Sequence, residues 1–359
     1  AVQRFLNGQE FLQQDEKTST PFVWRGGFVD RKIPVEVTAA PPDRFVGQVF
    51  VRSASEGHLA QAVGGQTLYQ RATAAPVESE ESLYASLGLP YISPELREGT
   101  DELTKYEARS TSPLITFDAL RGTVHNHSTW SDGKATVEQM ARAAMEMGLE
   151  YFGIADHSRS ATYAKGMSED QVFSQQKEVD DLNRKFAAEG WNFTVFKGIE
   201  ADILGDGSLD YADDVLKTFD YVVASVHSNL TMSQERAEQR LLRAIENPHT
   251  TILGHLTGRL LLSRPGYPVD HRKMIDACAA NGVVLELNAD PYRLDVDWRW
   301  IPYALEKGVM IAINPGGLQN MHYGVDVARK GGLTREMTFN AMGREEMARY
   351  LAARRTPKA

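Results

Sequence analysis

Two histidines stand one residue apart at the end of an apolar run. The segment VHNHSTWSDG, residues 124–133, contains His125 and His127, and Asp132 follows them. Successive side chains of a β-strand point to opposite faces, so these two histidines would point to the same side. Two imidazoles that converge on one point are what a metal ion requires of a protein. The segment therefore predicts the start of a metal centre, to which Asp132 would add a carboxylate.

Further histidines and carboxylates end the apolar segments that follow along the chain. Each segment is short, and most are followed by a loop and an amphipathic helical pattern. The C-terminal ends of the strands of a β/α barrel lie on one face, where active sites are built, so these side chains are expected to meet there. The residues are Asp156, His157, Glu200, Asp202, His227, His255, Asn288 and Asp290.

The donor atoms indicate the kind of metal and the kind of reaction. Imidazole and carboxylate without thiolate suit Mn²⁺, Zn²⁺ or Fe²⁺, and a single cysteine, Cys278, excludes a thiolate-rich site. The candidate ligands are too many for one ion, so we expect two or three. Sites of this kind typically hydrolyse phosphate esters, because the ions activate water and neutralise charge on the attacking and leaving oxygens.

The elements that must position these residues alternate between strand and helix from about residue 120. The strand segments are GTVHNH, YFGIADH, FTVFKGIEAD, DYVVASVHS, TTILGHL, VVLELNAD and VMIAINP. Repeated β-α units with continuous apolar strands predict an α/β fold, a TIM-like (β/α)7 barrel, with a doubly wound open sheet as the alternative. Upstream, FVWRG, KIPVEVT and FVGQVFVRS in residues 22–53 are rich in β-formers. Patterns typical of helices follow in the segments EGHLAQAV and ESEESLYASLGL.

Composition excludes several classes of protein. The 359 residues carry a net charge of −9, which argues against general coating of nucleic acid but permits a local basic groove. No apolar run has the roughly 20 residues of a membrane helix, and AVQRFLNGQEF lacks the features of a secretory signal. One cysteine suits a reducing compartment. We expect a cytoplasmic protein without membrane contact, and no feature demands a dimer, so a monomer is expected.

The motifs HNHSTWSDG, ADHS, GIEAD, SVHS, GHLTGR and NADPYR resemble those of the PHP (polymerase and histidinol phosphatase) domain. The segments DALRGTVHNHSTWSDG and MHYGVDVARKGGLT resemble, more specifically, the PHP domain of bacterial family X DNA polymerases. ESEESLYASLGLPYISPELREG resembles their thumb and linker, and KIPVEVTAAPPDRFVGQVFVRSASEGHL the end of their palm. The resemblance implies four regions: a palm fragment at 1–54, a thumb-like helical region at 55–105, a linker at 106–119 and a PHP metallophosphoesterase domain at 120–355.

The resemblance also implies ligands and an activity. One metal would be bound by His125, His127 and Glu200, a second by Glu200, His227 and His255, and a third by Asp132 and His157. Mn²⁺ is the favoured ion. Family members use this centre for 3′→5′ exonuclease and related reactions at DNA ends in repair, so the implied partner is DNA with a gapped or single-stranded 3′ end. His125, His127, Glu200 and His227 would carry the reaction.

Residues outside the ligand set receive other roles. Basic residues in or near the loops after the ligand-bearing strands are candidates for binding DNA phosphates. They are Arg159, Lys165, Arg259, Arg264 and Arg293. Asp156, Asp202 and Asp290 are expected to orient ligands or cap loops. His249 is expected to be structural, and His58 and His271 to be ordinary helix-start residues.

The sequence departs from the family in two places. The family's last motif supplies an aspartate and a histidine after the seventh strand, where this chain has Gly316 and Gly317; His322 is a conceivable substitute. The palm's aspartate pair is also absent, although Glu36 matches its third carboxylate, so we expect no DNA polymerisation by this chain. Two alternatives to an exonuclease follow: a degenerate, non-catalytic module that supports DNA binding, or a phosphatase of the histidinol phosphate type.

Overall fold

The computed structural model describes residues 1–31, 33–100, 102–105, 113–315 and 317–355. It divides into two compact units, Ala1–Ser110 and Thr111–Ala359. The linker expected at residues 106–119 spans this division, and its first part, residues 106–112, lies outside the described residues.

The N-terminal unit combines a small antiparallel sheet with short helices. The first three strands of the chain form the sheet, and the next two pair in a separate hairpin. The strands are β1 (Leu12–Gln14), β2 (Val23–Phe28), β3 (Pro34–Thr38), β4 (Ala62–Val63) and β5 (Gln66–Thr67). The helices are α1 (Val2–Asn7), α2 (Phe45–Arg52), α3 (Glu56–Ala60), α4 (Leu68–Ala74), α5 (Glu80–Ser86) and α6 (Glu102–Lys105).

One of the three runs of β-formers is not a strand. FVGQVFVRS forms α2, preceded by a 3₁₀ turn at Pro42–Arg44. Gly47 and Phe50 are buried on one side of this helix at a spacing of three residues, and helical periodicity outweighs the β-propensity of valine and phenylalanine. A Cβ atom on Gly47 would lie 2.3 Å from the Ala72 carbonyl oxygen, so glycine permits the close approach of α2 to α4.

The C-terminal unit contains seven parallel strands that are neighbours in the order in which they occur along the chain. The strands are β6 (Gly122–Thr123), β7 (Tyr151–Ile154), β8 (Thr194–Asp202), β9 (Tyr221–Ser225), β10 (Ile252–Leu253), β11 (Val284–Asn288) and β12 (Ile311–Asn314). The helices are α7 (Val137–Glu146), α8 (Glu169–Ala188), α9 (Asp213–Leu216), α10 (Gln234–Ile245), α11 (His271–Asn281), α12 (Ile301–Glu306), α13 (Met321–Lys330) and α14 (Arg344–Arg355).

The strand order confirms the TIM-like barrel and excludes a doubly wound sheet, in which the order reverses. The first and last strands are joined through one side chain. Asn340 donates to the carbonyl oxygens of Gly122 at 2.9 Å and Ile313 at 2.7 Å, and accepts from the Ile313 N–H at 2.9 Å. This buried amide therefore links β6 to β12, whereas the other neighbouring strands of the barrel are linked by backbone hydrogen bonds.

Strand β6 ends at Thr123 and is therefore shorter than predicted. The next backbone N–H, that of Val124, donates to the side-chain oxygen of Asn314 at 3.2 Å and not to a backbone carbonyl of a neighbouring strand. His125 and His127 therefore lie just past the strand end rather than within it.

The barrel interior is filled by alternate residues of the strands. They are Tyr151, Phe196, Tyr221, Val223, Ile252, Val284 and Ala312, together with Phe339, Met347 and Leu351 from the C-terminal segment. Tyr221 requires a glycine beside it, because a Cβ on Gly198 would lie 2.2 Å from its ring. A larger apolar layer fills the space between the strands and the surrounding helices. Within the described ranges, no helix has the length and apolar character needed to cross a bilayer.

Candidate metal centre

Glu200, at the C-terminal end of β8, is the centre of a cluster of imidazoles. Its side chain is almost fully buried. One carboxylate oxygen, Oε1, lies 3.1 Å from Nε2 of His125, 3.1 Å from Nε2 of His227 and 3.0 Å from Nε2 of His255. These three histidines follow β6, β9 and β10, so the barrel brings together side chains that are far apart in the sequence.

The second oxygen of Glu200, Oε2, faces two more imidazoles. It lies 2.9 Å from Nδ1 of His157 and 3.6 Å from Nε2 of His127. These two rings stack with their centroids 4.3 Å apart. The Asp132 carboxylate lies 3.8 Å from Nε2 of His157 and is half-exposed. All seven candidate ligands are thus placed within one cluster.

Three groups within this cluster could each hold an ion, with ligand atoms within 4.8 Å of one another. They are His125 with His127 and Glu200, His127 with Asp132 and His157, and His157 with Glu200 and His227. The first group has the same members as the first metal site implied by the family resemblance. In the third group His157 takes the place expected for His255, which nevertheless contacts Glu200.

Two carboxylates fix the orientation of the imidazoles. Glu286 Oε1 lies 2.5 Å from Nδ1 of His125, and Asp202 Oδ1 lies 2.5 Å from Nδ1 of His227. A carboxylate beside Nδ1 holds the proton there in the neutral ring and leaves Nε2 as the donor atom for a metal. Asp202 was expected to orient a ligand, and it lies where it can do so.

Glu286 is a site residue that the sequence analysis missed. It is fully buried in β11 and also accepts from the backbone N–H of His255 at 2.8 Å and from the Asn314 amide at 3.0 Å. The available signal was a glutamate inside the apolar segment VVLELN, a position at which a charged residue is rarely buried without a partner. Its carboxylate connects three neighbouring strands at the floor of the centre.

The buried charges shift one another's pKa values. Burial would lower the pKa of His125, but the charges of Glu286 and Glu200 raise it to about 10. Burial likewise opposes protonation of His227, whose pKa the charges of Glu200 and Asp202 raise to about 9. Burial raises the pKa of Glu200, and the neighbouring imidazolium charges outweigh it and hold that pKa well below its usual range. Without a metal, the negative charges of the carboxylates in the cluster are compensated by the positive charges of imidazolium ions.

Several buried atoms of the cluster have no hydrogen-bond partner among the described residues. They are Glu200 Oε2 and the Nδ1 atoms of His127, His157 and His255. Glu200 Oε2 and His157 Nδ1 lie 2.9 Å apart but do not form a hydrogen bond. Buried polar atoms without partners are rare in proteins. A divalent ion held by Glu200 and His157 would satisfy two of them, and imidazole with carboxylate suits Mn²⁺, Zn²⁺ or Fe²⁺. The residues present therefore fit a metal centre.

Asp156 and Asp290 form hydrogen bonds that stabilise loops, and they do not contact the candidate ligand atoms. Asp156 is fully buried and accepts from the Ser128 N–H at 2.7 Å, from the Ser131 hydroxyl at 2.5 Å and from the Gln175 amide at 2.7 Å. It thereby fixes the loop between His127 and Asp132. Asp290 accepts from the Tyr292 N–H at 2.8 Å and so caps its own loop.

The five basic candidates differ in how free they are to bind DNA. Arg259 donates to the Arg293 carbonyl at 2.8 Å and to the Asp297 carboxylate at 3.0 Å, so its guanidinium is used within the protein. Arg264 donates to the Gly258 carbonyl at 2.8 Å. Arg293 is half-buried, and its charge contributes, after burial, to the lowered pKa of His255, so it lies near the centre.

The other two basic candidates lie in the loop after β7. Arg159 is half-exposed and pairs with Glu169 at 3.3 Å. Lys165 is exposed and adopts a left-handed backbone conformation, and its side-chain ammonium has no hydrogen-bond or ion-pair partner within the described part of the chain. Of the five, Lys165 and Arg293 are therefore the best placed to contact a phosphate.

The remaining histidines lie outside the cluster. His58 is more than a helix-start residue, because it is fully buried, with Glu102 at 2.7 Å and the Tyr84 hydroxyl at 2.8 Å. His271 is the first residue of α11, and its ring stacks on Trp300 at 4.5 Å.

The connection after β12 is short. Strand β12 ends at Asn314, and a 3₁₀ turn at Leu318–Asn320 leads directly into α13. Gly316 lies outside the described residues. His322, on α13, is exposed, contacts Tyr323 and belongs to none of the three groups. His249 precedes β10, on the opposite side of the barrel from the cluster, 3.7 Å from Asp213.

Comparison with known families defines the class of the protein. Residues 123–290 match the PHP domain, and residues 58–98 match the DNA polymerase beta thumb. The first match begins at β6 and includes all seven candidate ligands, and the second covers the helices α4 and α5 of the N-terminal unit. The protein therefore combines a PHP barrel with a polymerase thumb.

Individual relatives narrow this class. The chain is 39% identical over 278 residues to the DNA polymerase/3′-5′ exonuclease PolX of Bacillus subtilis (strain 168), covering 76% of this chain and 48% of that protein. It is 30% identical over 170 residues to a probable phosphatase of Caldanaerobacter subterraneus subsp. tengcongensis, covering 46% of this chain and 60% of that protein. The chain thus spans about half the length of the PolX relative.

Among solved structures, the histidinol phosphate phosphatase of Lactococcus lactis, complexed with zinc, L-histidinol and phosphate, matches with a TM-score of 0.43 and 16% identity. That match covers 59% of this chain and 94% of the other. The identity to PolX and the two domain matches make this chain similar to the bacterial family X DNA polymerases, over a region that includes a thumb and a PHP domain.

Proposed function

We propose that this protein hydrolyses phosphodiester bonds at DNA 3′ ends in a metal-dependent reaction, as a 3′→5′ exonuclease that supports DNA repair. The observation that carries this proposal is the convergence of five imidazoles on the Glu200 carboxylate at the C-terminal face of the barrel. The thumb match in the same chain favours DNA as the substrate. The name of the Bacillus relative, a polymerase and 3′-5′ exonuclease, agrees with this direction.

The proposed cofactor is two or three divalent ions, with Mn²⁺ favoured over Zn²⁺ or Fe²⁺. Such ions lower the pKa of water and stabilise negative charge on the oxygens of a phosphate undergoing displacement. His125, His127, Glu200 and His227 would hold them closest to the reacting phosphate, and Asp132, His157 and His255 would complete the ligand set.

The protein's own residues orient the ligands and the substrate. Glu286 and Asp202 fix the rings of His125 and His227, so that the donor atoms are in place before DNA binds. Lys165 and Arg293 would hold the phosphates next to the scissile bond as charge-assisted hydrogen-bond donors. Arg159 would join them if its ion pair with Glu169 opens, whereas Arg259 and Arg264 would support the loops that they already bridge.

One observation favours a second function, binding of DNA without hydrolysis. The connection after β12 offers neither the aspartate nor the histidine that the family resemblance implies there. A metal centre without those two ligands would bind some of its ions weakly. The barrel would then serve as a support for the thumb and for bound DNA.

A nuclease assay separates these functions. A single-stranded oligonucleotide labelled at its 5′ end is incubated with Mn²⁺, and the same oligonucleotide labelled at its 3′ end is used in parallel. We expect a ladder from the first and release of a labelled mononucleotide from the second. Glu200→Gln should abolish both, with an unchanged circular dichroism spectrum. A folded wild-type protein that binds the oligonucleotide but never shortens it would establish the second function instead.

A further inference from the structure

An exposed tyrosine lies beside the metal centre. Tyr163 is 68% exposed, and its ring centroid lies 5.9 Å from that of His157 and 6.2 Å from that of His227. Both histidines belong to the same candidate metal group. An aromatic ring in this position is mostly open to solvent on one side, and on the other it borders the place where a phosphate would react.

The loop that carries Tyr163 is firmly held. The Met167 N–H donates to the His157 carbonyl at 2.9 Å, which closes the loop at its base. Within the loop, the Ser160 N–H and the Ser158 hydroxyl donate to Asp210 at 2.9 and 2.8 Å. A Cβ on Gly166 would lie 1.9 Å from the Ser158 carbonyl oxygen, so glycine allows the loop to fold this tightly. The backbone of the loop that carries the tyrosine is therefore held in place by the fold.

Two cations lie near the tyrosine, beside the carboxylates of the metal centre. The charges of Glu200, Asp202, Asp132 and Arg293 all act on the Tyr163 hydroxyl, so three carboxylates and one guanidinium lie within its electrostatic range. Lys165 is exposed two residues further along the same loop. Metal ions would compensate the carboxylates, and a planar ring with cations nearby is an arrangement that binds single-stranded nucleic acid, in which bases stack on aromatic side chains while cations contact the backbone.

We propose that Tyr163 is the platform on which the unpaired base at the 3′ end of DNA stacks while the adjoining phosphate lies at the metal centre. This inference rests on the proposed function and adds to it the residue that recognises the terminal base. Only an unpaired base can reach the ring, because a base within a duplex is stacked on its neighbours. An end that lacks its base loses this contact but keeps the phosphate contacts.

The preference is measured with two oligonucleotides that differ only at the 3′ terminal residue, one with a base and one abasic. Stacking on an aromatic side chain contributes about 1–3 kcal/mol per base, so we expect kcat/KM to favour the base-bearing end by about 5- to 150-fold. Tyr163→Ala should bring this ratio close to one, mainly by raising KM for the base-bearing end. Tyr163→Phe should restore the preference, since phenylalanine keeps the ring.

A binding measurement does not depend on turnover. The probe is an oligonucleotide with 2-aminopurine at its 3′ end and a terminal phosphorothioate bond, read before any shortening is detected. We expect the wild-type protein and Tyr163→Phe to quench its fluorescence, and Tyr163→Ala not to. Trp191→Ala is the matched control, because Trp191 is a 49% exposed aromatic residue that precedes β8 and so lies at the opposite end of the barrel.

The outcomes separate this inference from the proposed function. Hydrolysis with the same base preference in the wild-type protein and in Tyr163→Ala would overturn the inference and leave the exonuclease intact. Quenching that requires the Tyr163 ring, with no hydrolysis of either oligonucleotide, would support the inference and remove the exonuclease. Quenching that Tyr163→Ala leaves unchanged would overturn the inference, whatever the activity.

Discussion

At the scale of single residues, Glu200 is the member of the cluster that contacts all five imidazoles. Its two oxygens face five imidazoles, and it belongs to two of the three candidate metal groups. The imidazoles can serve as ligands because Glu286 and Asp202 hold two of the rings in place. Ligand geometry therefore depends on carboxylates that need not touch a metal themselves.

The first prediction concerns one of these carboxylates. Asp202→Asn keeps an oxygen that can accept from Nδ1 of His227 but removes the negative charge. Changes to partners that orient ligands typically weaken metal affinity by about 10- to 100-fold. We expect a loss of this size for Mn²⁺, measured by isothermal titration calorimetry. The exposed Asp206, four residues further along the chain, provides the control Asp206→Asn. Equal affinities in both variants would show that Asp202 does not orient a ligand.

The second prediction concerns protons. Without metal, the pKa values of His125 and His227 are raised to about 10 and about 9, so both rings are protonated at neutral pH. A metal needs the neutral rings, and its binding must release these protons. Affinity should therefore fall as the pH is lowered, by up to about 100-fold per pH unit for two protons. Calorimetry between pH 6 and 8 in buffers of different ionisation enthalpy counts the protons, and a count of zero contradicts this charge arrangement.

The candidate ligands were accessible to sequence reasoning because most of them end or follow an apolar strand segment, and such ends meet in a barrel. Glu286 was missed, because a single acidic residue in a strand gives no periodic signal and its place inside an apolar segment is the only indication of its burial. Nor does the sequence show which basic side chains are free of hydrogen bonds within the protein. Arg259 and Lys165 are both basic loop residues in the printed sequence, and only the structure shows that Arg259 already donates within the protein.

At the scale of elements, the barrel depends on how its first and last strands are joined. Six strand pairs are held by backbone hydrogen bonds, whereas Asn340 bridges β6 and β12 with its side chain. This closure keeps His125, after β6, beside Glu286, in β11. Alternation of strand and helix predicted the barrel correctly, but the bridging amide lies in a segment without periodicity and could not be inferred.

The third prediction tests this bridge. Asn340→Ala leaves three buried backbone groups without partners, at about 1–3 kcal/mol each. Partial relaxation would reduce the total, so we expect a loss of about 3–5 kcal/mol in the free energy of unfolding, measured with urea. Asn281→Ala removes one partly buried hydrogen bond at the end of α11 and should cost about 1 kcal/mol. Similar losses in the two variants would rule out a special role for Asn340.

Residues 45–53 show where local reasoning fails at this scale. Valine and phenylalanine favour strands, but a helix forms because Gly47 and Phe50 can then face the neighbouring helix α4 and the interior together. The same segment could satisfy either pattern over so short a length. Contact with α4, which the sequence does not show, decides in favour of the helix.

At the scale of the whole molecule, the two units carry different parts of the proposed function. All seven candidate ligands belong to the C-terminal unit, and the thumb match belongs to the N-terminal unit. Because the net charge is −9, the proposed DNA binding would depend on local cations such as Lys165 and Arg293.

The fourth prediction uses this division. Mn²⁺ at about 100 times its dissociation constant stabilises the folded state by about 2.7 kcal/mol. For a unit of this size the melting temperature should rise by roughly 5–10 °C. Calorimetric scans with Mn²⁺ and with EDTA should show this rise for the C-terminal unit and no change in a transition of the N-terminal unit. The rise should be lost in His227→Ala, and a rise that remains there would place the bound metal elsewhere.

The most direct test of the metal-dependent exonuclease is a single Mn²⁺ titration in which bound metal and strand shortening are measured in the same samples. Elemental analysis after gel filtration gives the metal, and a 5′-labelled single strand gives the shortening. We expect shortening from the 3′ end to rise as the ions bind, and His227→Ala to bind fewer ions and to leave the strand intact. Shortening that persists in EDTA or in His227→Ala would contradict the assignment of the reaction to this centre.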